Sequence, residues 1–390
     1  MIKDLRFLKV PNSKGTESIA IRAMTDKYYM ASIPSGTSKS ESEAVDIQMD
    51  AAENKFFSIK DKIIGMDEND IEKIDDLLKQ IDGTNNFRKI GGNLALGISM
   101  AVFKAASKGN IWKLINQFAT TFPYPLGNVI GGGAHGGNTS IQEFLVVPRK
   151  ARTIEEAIQT NREIRETVKQ QMDARGWLIG ENAEKALTTS LDDIKTLEIL
   201  SSVAKNYGAV VGIDMAASQF YFDGRYSYNS LGKSLNPAQQ LDFAENLAKT
   251  YNLLYVEDPF FEKDFDHFAQ LTSKVKNCMI TGDDLYSTNK ALIAKGIEKK
   301  STNGAIIKPN QCGTVTGSIG AAMLAKKAGF YLIASHRSVE TTDNWISDFA
   351  VGIGAHLIKT GIIGKEREAK LNRLIEIWNM MEKPRMAKLV

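Results

Sequence analysis

The sequence predicts an α/β protein in which an α+β domain, residues 1–122, precedes a barrel of alternating strands and helices, residues 123–390. Three observations carry this reading. The chain has 390 residues, more than one ordinary core takes, and a barrel accounts for roughly 250 of them. Apolar runs end repeatedly in a charged or polar side chain: Asp214, Glu257, Asp283, Lys308, His336 and Lys359 close such runs at intervals of 23 to 43 residues. A strand-plus-helix barrel unit takes about 30. The first 33 residues differ, with short alternating segments such as Ser18–Ala23 and Tyr28–Ile33; these read as an antiparallel meander.

In order along the chain, the polar stretch Pro34–Ala44 follows the meander. It has two readings: an exposed loop entering a helix, with Ser40 as N-cap and Glu43 completing a capping box, or a lid that carries a hydroxyl to the site. Ile71, Ile74, Leu77, Leu78 and Ile81 give a helix over 70–82 that Gly83 stops. The run Gly97–Ala106 is a more apolar helix, packed on both sides. Pro123 and Pro125 mark the boundary.

Gly131–Asn138 puts five glycines around His135 after the strand at 128–130. It lacks the Gly-Lys-Ser/Thr end of a phosphate-cradling P-loop. Gln142-Glu143 offers a carboxylate at the start of the next strand. Thr153 to Arg175 is a helix with a capping box from Thr153 and Glu156, and Trp177–Asn182 a strand ending in an acidic loop. Asn236-Pro237 starts a helix reaching about 250. Helices over 316–328, 343–354 and 366–382 follow the later strand ends.

In such barrels the rim at the strands' C-terminal ends carries the chemistry, so these end residues converge on one mouth. A lysine closing an apolar strand suits a pocket, because a desolvated ammonium loses its proton more easily. Alone, Lys308 would read as a snorkelling side chain. Three acidic strand ends upstream favour a metal-and-base site instead, although Asp214, Glu257 and Asp283 could each cap a helix. Asp258 and Asp284 read as holders of loops or as partners behind the ligands. No Ser-His-Asp order and no Cys-His metal spacing is present.

The blocks carry a resemblance to enolases over nearly the whole chain. Pro34-Ser35-Gly36-Thr37-Ser38, Asn93–Ala101, Gly132-Gly133-Ala134-His135, Gln142-Glu143-Phe144, Asp214–Ser218, Glu257-Asp258-Pro259-Phe260, Gly282-Asp283-Asp284-Leu285, Lys308–Thr314, Ser335-His336-Arg337-Ser338 and Lys359-Thr360-Gly361 are similar to the family's blocks and stand in its order. The resemblance implies an α+β cap and an enolase-type, TIM-like barrel whose first strands depart from simple repetition. It implies Mg²⁺-dependent dehydration of 2-phosphoglycerate to phosphoenolpyruvate by a homo-oligomer, a dimer or larger ring. Asp214, Glu257 and Asp283 would hold one Mg²⁺, and Ser38 would close on a second. Lys308 would be the base at C2, with Glu143 assisting departure of the 3-hydroxyl. Arg337 and Ser338 would hold the phosphate, and His135, Gln142, His336 and Lys359 would contact other parts of the substrate.

The resemblance breaks at the family's Gly-Asp-Glu-Gly acid loop. Here stands Gly180-Glu181-Asn182-Ala183. Without a gap the family Glu falls on Asn182, which cannot deliver a proton at neutral pH; with one residue deleted, Glu181 takes the catalytic place. Gln219 and Val339 are smaller departures. The alternative is therefore an enolase-like paralogue that enolises or binds a related phosphorylated or hydroxy acid without efficient dehydration.

Bulk properties bound the partners. A net charge of +3 without a Lys/Arg run gives no electrostatic case for nucleic acid or membrane. No apolar run approaches the ~20 residues of a membrane span, and Met1-Ile2-Lys3-Asp4 begins no signal peptide. Cys278 and Cys312 read as reduced thiols, which suits a cytosolic protein.

Overall fold

A computed structural model describes residues 1–37 and 40–390. Ser38, expected on a second metal, lies outside the described residues, as does Lys39.

The strands Asp4–Pro11, Glu17–Met24 and Tyr28–Ser32 pair antiparallel in chain order. The middle strand buries Ile19, Ile21 and Ala23 against the helix Gly92–Ala106. Gly97 permits this approach, since a Cβ there would meet Ile21 at 2.9 Å. The helix Ile71–Asp82 ends at Gly83 in the left-handed region, φ 63°. The capping box expected at Ser40 starts no helix; the next helix is Met49–Ile63. The Ser40 N–H does reach the Glu43 carboxylate at 3.3 Å. That carboxylate is buried and turned to Arg337, 2.9 Å away, a charge-assisted contact stronger than a solvated cap.

The barrel begins with Tyr124–Pro125 and Gly127–Gly131, which together act as its first staircase segment. Glu143–Val147, Val210–Asp214, Tyr255–Glu257, Met279–Gly282, Gly304–Ile307, Tyr331–Ser335 and Leu357–Lys359 follow, each beside the one before. Leu357 pairs back to Tyr124, so the sheet curls round to its own start. The three strands from Tyr255 to Ile307 are buried throughout. They read as unbroken apolar runs because helices cover the outer face.

Glu143–Val147 runs antiparallel to both neighbours. A reversed strand presents its first residue at the rim where the others present their last. Glu143 accordingly pairs in register with Asp214 and with Gly131. At the seam, Ile130 pairs outward with Leu187, and the hairpin of Leu178–Glu181 and Leu187–Thr189 extends the rim there.

Around the barrel, the helix Ile154–Asp173 is capped by Thr153, which accepts the Glu156 N–H at 3.1 Å. The Glu156 carboxylate takes the Arg152 N–H rather than closing the box. Pro237–Thr250 has both halves of its box, from Asn236 and Gln239. Val315–Lys327, Trp345–Ile353 and Lys365–Met380 complete the later helices. Both cysteines are free thiols.

Candidate active site

The mouth of the barrel holds a polar cavity to which the cap contributes Gly36 and Glu43. Of the residues expected there, His135, Gln142, Glu143, Asp214, Asp283, Lys308, His336, Arg337, Ser338 and Lys359 line it. Glu257 lies beneath, 1% exposed.

Two lysines organise the charge. Lys359 Nζ contacts Glu143 Oε2 at 2.7 Å, Asp214 Oδ2 at 3.2 Å and Glu257 Oε2 at 2.6 Å. Burial pulls its ammonium down, but Glu143, Glu257 and Asp214 outweigh that and hold it well above its ordinary value. Lys308 Nζ pairs with Asp283. Burial again opposes the charge, and Asp283 again wins, so the Lys308 ammonium is raised. A base must be neutral, so this pairing has to loosen before Lys308 can accept a proton.

The carboxylates form two overlapping groups that share Glu257. Glu143, Asp214 and Glu257 bring oxygens within 4.8 Å of one another, as do Glu257, Asp258 and Asp283. Burial and then Asp214 push Glu257 well above the usual carboxylate range. Burial and then Asp283 push Asp284 up to about 7. The two lysines therefore leave the acids under-compensated. An all-oxygen donor set with excess negative charge fits a hard divalent cation, Mg²⁺ before zinc.

Several neighbours hold these groups in place. Asp258 sits at φ 41° and accepts the N–H groups of Asp283 and Asp284 at 3.0 and 2.8 Å. Its expected role as a loop holder describes those contacts. Tyr255 donates to Glu257 Oε2 at 2.7 Å, and the Ala216 N–H to Asp214 Oδ1 at 3.0 Å. Gln311 Nε2 donates to Asp283 Oδ1 at 3.1 Å and to Glu43 Oε1 at 3.3 Å. Gln219 donates to Gln142, which donates to Asp214.

On the opposite flank Arg337 sits between Glu43 and Asn310, with Nη1 at 2.9 and 3.2 Å from their oxygens. The Ser338 hydroxyl accepts the Thr37 N–H at 2.9 Å. His336 is buried with Nδ1 unpartnered among the described residues. Burial, then Arg367 and Lys370, hold its imidazole well below the ordinary value, as a neutral ring. His267 and His356, outside the cavity, are both half-buried. His267 bonds Asp264, and His356 accepts the Leu332 N–H.

Glu181 is not brought to the cavity. It ends a strand, is exposed, and pairs with Arg165 at 2.7 Å and Lys169 at 3.7 Å. The Arg165 hydrogen bond outweighs the opposing effect of burial and, with the charges of Arg165, Lys169 and Lys185, keeps its carboxylate below the usual range. Asn182 does not line the cavity either; its Oδ1 accepts the N–H groups of Glu184 and Ala186. The carboxylate that the loop sends inward is Glu184, 6% exposed. It lies within 4.8 Å of His135 and Glu143. A signal existed for the turn alone: an Asn side chain can hydrogen-bond the backbone two residues on, as Asn182 does to the Glu184 N–H.

Residues 2–117 match the family model for the enolase N-terminal domain, and residues 119–386 the model for the enolase C-terminal TIM barrel domain. A protein named enolase from Archaeoglobus fulgidus is 42% identical, with 99% of each chain covered. Enolases from Methanosphaera stadtmanae and Saccharolobus solfataricus are 39% and 38% identical. They cover 100% and 97% of this chain, and 99% and 96% of their own.

Proposed function

The chain belongs to the enolase family, and from that premise we propose that its barrel mouth dehydrates 2-phosphoglycerate to phosphoenolpyruvate with Mg²⁺. The reaction class is that of a hydro-lyase acting on a phosphorylated carboxylate. The observation that carries the reading is the meeting of Lys308, on one strand end, with an acid cluster that Lys359 alone cannot neutralise.

Removing the C2 proton beside a carboxylate makes a doubly charged enediolate, which water stabilises poorly. Asp214, Glu257 and Asp283 would hold the cation; Asp214 stands with Glu143 and Glu257 in one oxygen group and Asp283 with Glu257 and Asp258 in the other, so Glu257 is where the two meet. When bound, Mg²⁺ supplies positive charge where the substrate carboxylate gains negative charge. Lys308 takes the C2 proton. A cation held by Asp283 would weaken that carboxylate's pull on the Lys308 ammonium and so favour the neutral amine. Lys359 adds a second fixed positive charge beside Asp214 and Glu257. Arg337, with its planar fork, and Ser338 suit the phosphate; Glu43 holds the guanidinium ready until then. His336 and Gln142 offer neutral hydrogen-bonding groups, and His135 stands on the glycine-rich loop beside Glu143.

The family resemblance also implies a homo-oligomer, whose mass light scattering would give, and the two free cysteines suit a cytoplasmic location. A coupled assay for phosphoenolpyruvate tests the reaction. Turnover with Mg²⁺ that vanishes on chelation is expected; no turnover with Mg²⁺ present would end the reading.

A further inference from the structure

We propose that Glu184 is the acid that protonates the substrate's departing 3-hydroxyl, delivered by a turn that Asn182, Arg165 and Glu181 clamp from behind. The inference rests on the dehydration reading and assigns its second proton transfer to a residue outside the expected site.

Three observations point to Glu184. Its side chain is buried, lines the cavity, and lies within 4.8 Å of Glu143 and His135. Its Oε2 has no hydrogen-bond partner among the described residues. A buried carboxylate oxygen left unpaired is costly, and a fold that keeps one aimed into a cavity calls for a ligand group that uses it. The third observation is the turn itself. Asn182 Oδ1 accepts the Glu184 N–H at 2.9 Å and the Ala186 N–H at 3.0 Å. Lys185 stands at φ 66°, and its carbonyl accepts Arg165 Nε at 3.2 Å and Nη2 at 2.9 Å. Arg165 is fixed in turn by Glu181 at 2.7 Å. Gly131 leaves room for this arrangement, since a Cβ there would overlap Asn182 Nδ2. The peptides on both sides of Glu184 are thus tied down, and the side chain is left pointing into the mouth.

The placement suits an elimination. Glu143 stands on the second segment of the barrel and Lys308 follows the sixth. In a sheet of eight segments closed on itself these are opposite sides of the mouth. Glu184, beside Glu143, faces Lys308 across the space where C2 and C3 must lie. Lys308 Nζ takes the C2 proton, and the C2–H electron pair becomes the second C2–C3 bond. The C3–O bond breaks, and its oxygen takes the Glu184 proton and leaves as water. Lys308 then releases its proton to solvent and Glu184 regains one, so no further reactant is needed. Glu181 touches no reacting atom and acts as a positioning residue through Arg165.

The test separates the two proton transfers in the full-length protein with Mg²⁺. Deuterium entry at C2 of 2-phosphoglycerate in D₂O, followed by proton NMR, reports the first; phosphoenolpyruvate formation reports the second. Glu184→Gln should lose dehydration by about 100-fold or more, the scale of a general acid, while C2 exchange stays within about tenfold of the parent. Glu184→Asp should recover part of the loss, and Glu181→Gln should cost less than about tenfold. Retained exchange also shows that the variant has folded. Dehydration by Glu184→Gln within about threefold of the parent would overturn the assignment. So would equal loss of exchange and dehydration in both Glu184 variants. A parent that neither exchanges nor dehydrates would instead sink the reading on which the assignment rests.

Discussion

Lys308 shows how much a single position can disclose. An ammonium closing an apolar strand is legible in the sequence, and its pairing with Asp283 follows from two strand ends on one rim. The acid side was less legible. Glu181 and Asn182 are where a linear alignment puts the family's acid, but Arg165 captures the first and two backbone N–H groups capture the second. Arg165 arrives from a distant helix, and nothing in the local spacing announces it. Glu43 was hidden for the opposite reason: a capping-box pattern explained it too well. Asp258 gives a prediction at this scale. Its carboxylate satisfies the N–H groups of Asp283 and Asp284, so Asp258→Ala leaves both without that acceptor. Each buried orphan costs about 1–3 kcal/mol, and thermal unfolding should register a loss of that order. The Mg²⁺ concentration needed for half-maximal activity should rise as well. Unchanged stability and unchanged Mg²⁺ demand would refute the role.

Among the elements, those with caps or unbroken apolar runs were legible to within a few residues. Asn236-Pro237 opens Pro237–Thr250, and Gly83 closes Ile71–Asp82, because cap chemistry is local. The reversal of Glu143–Val147 was not read from its own sequence, since an apolar strand carries no mark of its direction. Yet that reversal is what brings its first residue to the rim beside Asp214. The seam hairpin was likewise unread beyond its first strand. Two predictions belong here. Asn236→Ala removes the side-chain acceptor of a helix start far from the cavity and should lower stability by about 1 kcal/mol; kcat should not change. Gly131→Ala places a methyl against Asn182 and should disturb the turn that carries Glu184. Dehydration should fall while C2 exchange survives; dehydration equal to the parent's, or an equal loss of both, would contradict the account of that turn.

For the whole molecule, the cap and the barrel share a mouth because polar ties fix their relative placement. The Val315 N–H donates to Ser99 at 3.0 Å, and Thr316 donates to Asp75 through N at 3.0 Å and Oγ1 at 2.7 Å. Glu43 from the cap reaches Arg337 in the barrel. Two domains of this size were legible from length and from the change in patterning; the ties were not, because they join residues 216 to 294 apart in the chain. Asp75→Ala strands the Thr316 N–H and hydroxyl and should cost about 1–3 kcal/mol, read as a lower urea midpoint. A cation at a hundred times its dissociation constant should stabilise the fold by about 2.7 kcal/mol, and chelation should remove that gain. The central claim is that an amine on one barrel strand, working beside a cation-holding acid cluster, converts 2-phosphoglycerate to phosphoenolpyruvate. It is tested most directly by measuring that conversion, with Mg²⁺, for the parent and for Lys308→Ala. The account predicts steady turnover by the parent and a loss of about 100-fold or more in the variant. Comparable turnover by both would contradict it.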